Sequence, residues 1–212
     1  MIIALASLKG GAGKTTLAVH LAHAIALSKK RVLLADADPQ SSASDWAAAR
    51  SDKPPFPVVG IARNTLHRDL PELLENYDHC VIDTPPRVSA LARSAILASD
   101  LVLIPCQPSS YDIWAAAETV QLVEEARGFK PDLKAAFLIN RRIVNSAIGR
   151  EVEEALKDYP FPMLKTAIAQ RVAFAEASSG YTVLETEPNG TAAKEIKQLA
   201  KEVLKLMGVK TW

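Results

Sequence analysis

The chain has 212 residues, 49% hydrophobic and 23% charged, with a formal net charge of +1. These proportions fit a globular chain with one sizeable core, exclude disorder, and exclude a surface that is basic all over. Cys80 and Cys106 lie in apolar runs without CxxC spacing, which reads as small buried hydrophobes of a cytosolic protein rather than a disulfide or metal site.

In chain order, the opening run MIIALAS is only seven residues long before Lys9. A bilayer span needs roughly 20 apolar residues, so this run predicts a strand and no targeting segment. Further strands are predicted at 31–35, 58–61, 79–82, 101–105 and 135–139, with a short one at 163–166. Helical patterns cover 14–27, 66–75, 89–98, 113–127, 150–157, 173–178 and 191–207. The alternation of apolar strands with helices predicts a doubly wound α/β fold, its mostly parallel sheet covered on both faces. The proline-rich stretch SDKPPFP at 51–57 reads as a surface loop. The four histidines show no metal-ligand spacing.

The first strand runs straight into SLKGGAGKTT, which opens the first helix. Gly10, Gly11 and Gly13, with Ala12 between them, let the backbone turn its N–H groups toward phosphate oxygens. The helix N-terminus adds its positive dipole end to the same place. Lys14 is placed to reach β- and γ-phosphates, Thr15 to bind Mg²⁺, and Thr16 to complete the cradle. The ordinary G-x-x-x-x-G-K-[ST] loop fails at Leu8; the variant K-G-G-x-G-K-T fits, with a second lysine at Lys9.

The second strand ends in LLADADPQ, and an ATPase of this kind needs carboxylates at strand ends near the γ-phosphate. Asp36 and Asp38 share a face there; the competing reading is that they cap the following turn. HCVIDTPP ends a buried strand at Asp83, a Walker B position whose carboxylate serves the Mg²⁺ shell, partly through water.

Through KGGAGKTT, DADPQ, DTPP, IPCQPSSYDIWAA and TAIAQR, the chain resembles the ParA/MinD group of deviant-Walker ATPases over about residues 1–207. It reads like a small ParA-type partition ATPase of the ParF kind. The resemblance implies one domain over 1–212 without an N-terminal helix-turn-helix extension, an ATP/ADP and Mg²⁺ cofactor set, and an ATP-sandwich homodimer. Within that dimer Lys9 reaches the partner's ATP, Gly11 lies at the close contact, and Asp38 orients the attacking water. Catalytic roles thus fall to Lys9, Lys14 and Asp38, with Asp36 and Pro108 beside the nucleotide. The resemblance also implies that the loop over 107–114 lies near the nucleotide and the dimer interface; for Tyr111 and Trp114 within it, helix packing against the sheet is the favoured reading.

The last helix carries Ile196, Leu199, Ala200, Val203 and Met207 on one stripe and Lys194, Lys197, Lys201 and Lys205 on another. Over 191–212, five lysines oppose Glu195 and Glu202. A solvated face and contact with phosphate backbones both fit such a ridge. A second basic cluster, Arg141, Arg142, Lys165 and Arg171, has the same two readings, with Glu176 as the expected ion-pair acid for Arg171. The resulting expectation is a weak ATPase stimulated by a ParB-like or adaptor partner, cytoplasmic and nucleoid-associated, binding non-specific DNA without stable membrane association. Terminal Trp212 alone hints at a membrane.

Overall fold

The computed structural model describes residues 1–143 and 146–209; Lys210 and Trp212, counted above, lie outside the described residues. Six parallel strands form one sheet in the order β3-β2-β4-β1-β5-β6. They are β1 (Ile2–Leu5), β2 (Val32–Asp36), β3 (Val58–Gly60), β4 (His79–Asp83), β5 (Leu101–Cys106) and β6 (Lys134–Ile139). Between and after them run α1 (Lys14–Ala26), α2 (Ser42–Ala48), α3 (Leu66–Leu73), α4 (Ala90–Ala98), α5 (Ser110–Arg127), α6 (Ala147–Ala155), α7 (Val172–Glu176), α8 (Val183–Thr186) and α9 (Thr191–Leu206).

The strand period of two divides the core. Ile3, Leu5, Leu34 and Leu103 face α1 and α9 on one side of the sheet. On the other side Val102, Ile104, Phe137 and Ile139 meet α5 and α6. Ala4, Leu33, Ala35 and Ile82 meet α3 and α4 on that same side. β1 is central, flanked by β4 and β5, so the chain's winding reverses beside it. A crevice at the strands' carboxyl ends follows from that reversal.

The expected strand at 163–166 is not formed. Only an isolated parallel bridge joins Phe137 to Met163. Leu164 N donates to Phe137 O at 2.9 Å, but Glu202 takes the next two N–H groups, of Lys165 (2.7 Å) and Thr166 (2.8 Å), so the pairing with β6 does not extend into a ladder. Two short helices went unread. α2 is held by a remote carboxylate, since Asp36 Oδ2 accepts from Ser44 N at 2.8 Å and Ser44 Oγ at 2.7 Å. α8 has a capping box between Thr182 and Glu185, a T-x-x-E signal that was present in the sequence. α5 begins three residues before the expected 113, because Asp112 accepts the Gln107 N–H at 3.2 Å and tethers the first turn to the preceding loop.

Candidate functional site

The loop between β1 and α1 lies at the carboxyl end of the central strand. Gly11 (φ 75°) and Gly13 (φ 87°) are left-handed, a region costly for side-chain-bearing residues. At Gly13 a Cβ would also collide with the Asn140 amide. Asn140, buried just after β6, donates from Nδ2 to Ala12 O at 2.8 Å and so braces the loop from across the sheet. α1 follows Gly13 at its N-cap, with no side-chain cap and no acid in its first turn. Its leading N–H groups therefore lack intrahelical partners and suit an anion.

Lys14 is buried, and its Nζ donates to Lys9 O at 3.3 Å. Burial lowers its pKa from the ordinary lysine value, while the charges of Asp83 and Asp38 oppose that shift. Asp83 is fully buried at the end of β4, and neither carboxylate oxygen has a hydrogen-bond partner. Burial pushes its pKa up to about 7; the nearby Thr15 hydroxyl and Lys14 pull it down, and Asp36 and Asp38 push it further up. A fully buried carboxylate carries a desolvation cost, which the Thr15 hydroxyl beside it offsets only in part and which a cation at this place removes.

The two acids at the end of β2 and just beyond it separate in role. Asp36 Oδ1 accepts the Asp38 N–H at 3.2 Å while Oδ2 holds Ser44, so its carboxylate organises the turn. Asp38 is half-buried, and its Oδ1 accepts the Gln40 N–H at 3.0 Å. Thr84 Oγ1 donates to Leu5 O at 2.7 Å and ties the ends of β4 and β1 together.

Lys9 Nζ donates to Asp112 Oδ2 at 2.5 Å, an ion pair that turns this lysine toward its own chain. Gln107 Nε2 donates to Gly11 O at 2.7 Å, and Leu8 N donates to Thr119 Oγ1 at 3.4 Å. The loop holding Pro108 is thereby fastened to the phosphate loop. Asn140 was not singled out in sequence, and Gln107 and Asp112 only as part of the loop IPCQPSSYDIWAA; their contacts to the phosphate loop are set by the fold.

Tyr111 and Trp114 do not pack against the sheet as expected. They are 70% and 65% exposed and meet each other edge-on, centroids 5.4 Å apart. Asp112, between them, takes the inward direction. Beside the loop, a cavity of about 410 Å³ is lined by Gly13, Thr16, Asn140, Arg141 and Phe174 among others.

The basic candidates are placed unequally: Arg141 and Arg171 also line that cavity, whereas Lys165, Lys201 and Lys205 border a separate one. Arg171 pairs with Glu195 at 2.7 Å rather than with Glu176, because Glu195 also accepts the Ala169 N–H and faces that loop. Lys197 Nζ donates to Pro188 O at 2.9 Å. Arg141, Arg142, Lys165, Lys194, Lys201 and Lys205 are exposed. Glu195 and Glu202, counted against the lysines in sequence, are turned under the 165–171 segment instead.

Residues 3–182 match the CobQ/CobB/MinD/ParA nucleotide binding domain family. The chain belongs to that family. Among curated members, the maintenance of carboxysome distribution protein A of Halothiobacillus neapolitanus is 33% identical over 208 residues, covering 95% of both chains. The chromosome-partitioning ATPase Soj of Thermus thermophilus is 30% identical, covering 95% of this chain and 94% of its own. The Pyrococcus horikoshii septum site-determining protein MinD, complexed with Mg-ADP, shares the fold of this MinD/ParA-family chain (TM-score 0.81, 22% identity, covering 98% of this chain and 97% of its own). So does cobyrinic acid a,c-diamide synthase of Mycobacterium smegmatis with bound ATP analog and magnesium (TM-score 0.78, 20% identity, 98% and 95% covered).

Proposed function

We propose that this chain is an ATP hydrolase whose turnover times the assembly of an ATP-sandwich dimer on non-specific DNA, in the service of positioning a cargo. The observation that carries this reading is Lys9. It is a second lysine on the phosphate loop that the loop's own phosphate cradle does not require, held apart by Asp112.

In this reading the phosphates lie against the loop N–H groups and the first turn of α1, with Lys14 as the buried cationic contact. The adenosine end occupies the cavity beside Gly13 and Asn140, whose volume lies within the range of small-ligand pockets. Mg²⁺, when bound, offsets charge on the β- and γ-phosphates. Asp83, fully buried, and Thr15 beside it are the residues that would hold that ion's shell. Asp38 orients water for attack, its own backbone N–H fixed by Asp36. Lys9, released from Asp112, completes the charge compensation across the dimer.

Partition of a plasmid or chromosome with a ParB-like partner fits this engine. A cargo adaptor fits it as well, and the likeness to the Halothiobacillus carboxysome distribution protein supports that second reading. A membrane-positioning role is weaker. No helix among the described residues is long and apolar enough to cross a membrane. The apolar stripe of α9 is spent on the core, with Ile196, Leu199, Ala200 and Val203 wholly buried.

DNA binding measured with ATP, ADP and no nucleotide, across a salt series, tests the proposal. Binding confined to the ATP state, weakening with a log–log salt slope of about −0.9 per phosphate contacted, is expected. Equal binding in all three states would refute it, because a ligand without differential affinity cannot drive a switch.

A further inference from the structure

Two buried histidines on α1, His20 and His23, take no part in the site described above. His20 lies one turn beyond Thr16 and is 3% exposed. Its Nδ1 stands 2.7 Å from Thr16 O, and its Nε2 accepts the Val183 N–H at 3.1 Å. Val183 opens α8, where a backbone N–H has no partner within its own helix. These two contacts fix the ring's chemistry. Thr16 O can only accept, so Nδ1 carries the proton; the Val183 N–H can only donate, so Nε2 is bare. His20 is thus a neutral imidazole held in one tautomer and one orientation. Burial pushes its pKa down to about 4, against the pull of the Thr16 carbonyl and Glu185.

The ring fixed in this way meets Phe174 edge-on, with centroids 5.2 Å apart and planes at 71°. Phe174 belongs to α7, a helix of five residues none of which is fully buried. Such a segment has few contacts to hold it in place. Arg171 ties its start to Glu195, and Ala173 and Phe174 pack against the core. Phe174 also stands between two cavities. With Thr16 and Ser178 it lines both the one of about 410 Å³ beside Gly13 and Asn140 and a smaller one of about 150 Å³, which His20 itself borders. The phenyl ring is therefore a partition, with His20 behind it and the larger cavity in front.

We infer that His20 is a positioning residue for nucleoside binding: its hydrogen-bonded ring holds Phe174 as the wall of the cavity that takes the adenosine end. The inference rests on the reading that puts adenosine in that cavity, and adds to it the group that shapes the wall. His20 stands on the helix whose first turn meets the phosphates, so one rigid element sets both the phosphate cradle and, through a single ring contact, the nucleoside wall. A binding wall keeps its geometry when the side chain behind it is itself locked by hydrogen bonds, and both ring nitrogens of His20 are so locked. The same imidazole closes the open end of α8, which joins the placement of α7 and α8 to α1.

The test compares the full chain as wild type, His20→Gln, Phe174→Ala and the double variant, by calorimetric titration with Mg-ADP and by steady-state ATP turnover. Glutamine keeps an acceptor for the Val183 N–H while removing the ring edge. The expected result for His20→Gln is an ADP dissociation constant and a KM for ATP raised about 3–10-fold, the size of an edge-on aromatic contact, with kcat within about twofold of wild type. Nucleoside contacts act equally on ground and transition states, so the loss falls on KM. Phe174→Ala should weaken ADP at least as much, and adding His20→Gln to it should change nothing further. In the wild type at pH 7, nitrogen NMR should show His20 protonated at Nδ1 and bare at Nε2, a measurement that holds even if His20→Gln does not fold. Wild-type affinity in His20→Gln beside a weakened Phe174→Ala would overturn the inference and leave the adenosine placement intact. So would a loss confined to kcat, full additivity in the double variant, or a proton on Nε2. Wild-type affinity in Phe174→Ala would overturn both.

Discussion

Lys9 and Asp112 lie 2.5 Å apart, bridging the phosphate loop and the first turn of α5, with the aspartate side chain 1% exposed and the lysine 32%. The buried carboxylate has a second acceptor contact, to the Gln107 N–H, whereas the lysine keeps a path to solvent. Lys9 is therefore the partner able to leave. Asp112→Asn should loosen it, lowering the ATP concentration needed for dimerisation, at a stability cost of about 1 kcal/mol or less because the freed ammonium can hydrate. Dimerisation weakened in this variant would show that Asp112 aims Lys9 rather than restrains it. Lys9→Ala should retain most nucleotide binding yet lose dimerisation and lower kcat by roughly 10²–10³-fold. Normal turnover in Lys9→Ala would remove its cross-subunit role.

The loop's own geometry makes a separate prediction. Gly13→Ala forces a left-handed residue against the Asn140 amide, a strain of about 1–3 kcal/mol. Nucleotide affinity should fall with Tm, whereas Lys14→Ala should abolish binding with Tm preserved. Calorimetric titration beside thermal melts separates the two.

Asp83 makes the site sensitive to pH. Burial raises its pKa from 3.8 to about 7, so without a cation the folded chain holds this proton where the unfolded chain has lost it. Its contribution to stability is therefore present below about pH 4 and is lost as pH rises to about 7. Asp83→Asn should flatten that part of the Tm–pH curve and raise Tm at pH 8, each 1 kcal/mol being worth about 2–4 °C in a chain of this size. In the wild type, Mg²⁺-dependent nucleotide affinity should climb as pH rises toward about 7, since the ion's shell requires the carboxylate. An Asp83→Asn curve parallel to wild type would contradict this assignment.

Asp38→Ala should leave ATP binding in place while slowing hydrolysis roughly 10²–10⁴-fold, trapping the dimer on DNA. Single-turnover kinetics with a DNA-retention assay would detect the trap. Rapid turnover in this variant would assign the attacking water to another group.

Much of the fold was legible because the strands are short apolar runs bounded by turn residues, and a parallel sheet covered on both faces leaves that mark on a sequence. The phosphate loop was legible for a similar reason: its glycines, its lysines and its helix are consecutive. α2 was not, because its first turn is held by Asp36, which stands eight residues from Ser44. The strand expected at 163–166 failed because Glu202, on the last helix, claims the Lys165 and Thr166 N–H groups.

The sequence by itself determined the α/β winding, the cradle at 9–16 and the pairing of Lys9 with Lys14 on one loop. All of these arise from residues near each other along the chain, where backbone geometry and periodicity act directly. Tertiary structure alone decided that Lys9 is held by Asp112, that Asn140 braces Ala12, that Glu195 and Glu202 turn away from the lysine ridge, and that Tyr111 and Trp114 face solvent. Each depends on the partner that the folded chain brings within reach, and a side chain's direction is set by that competition rather than by its place in sequence.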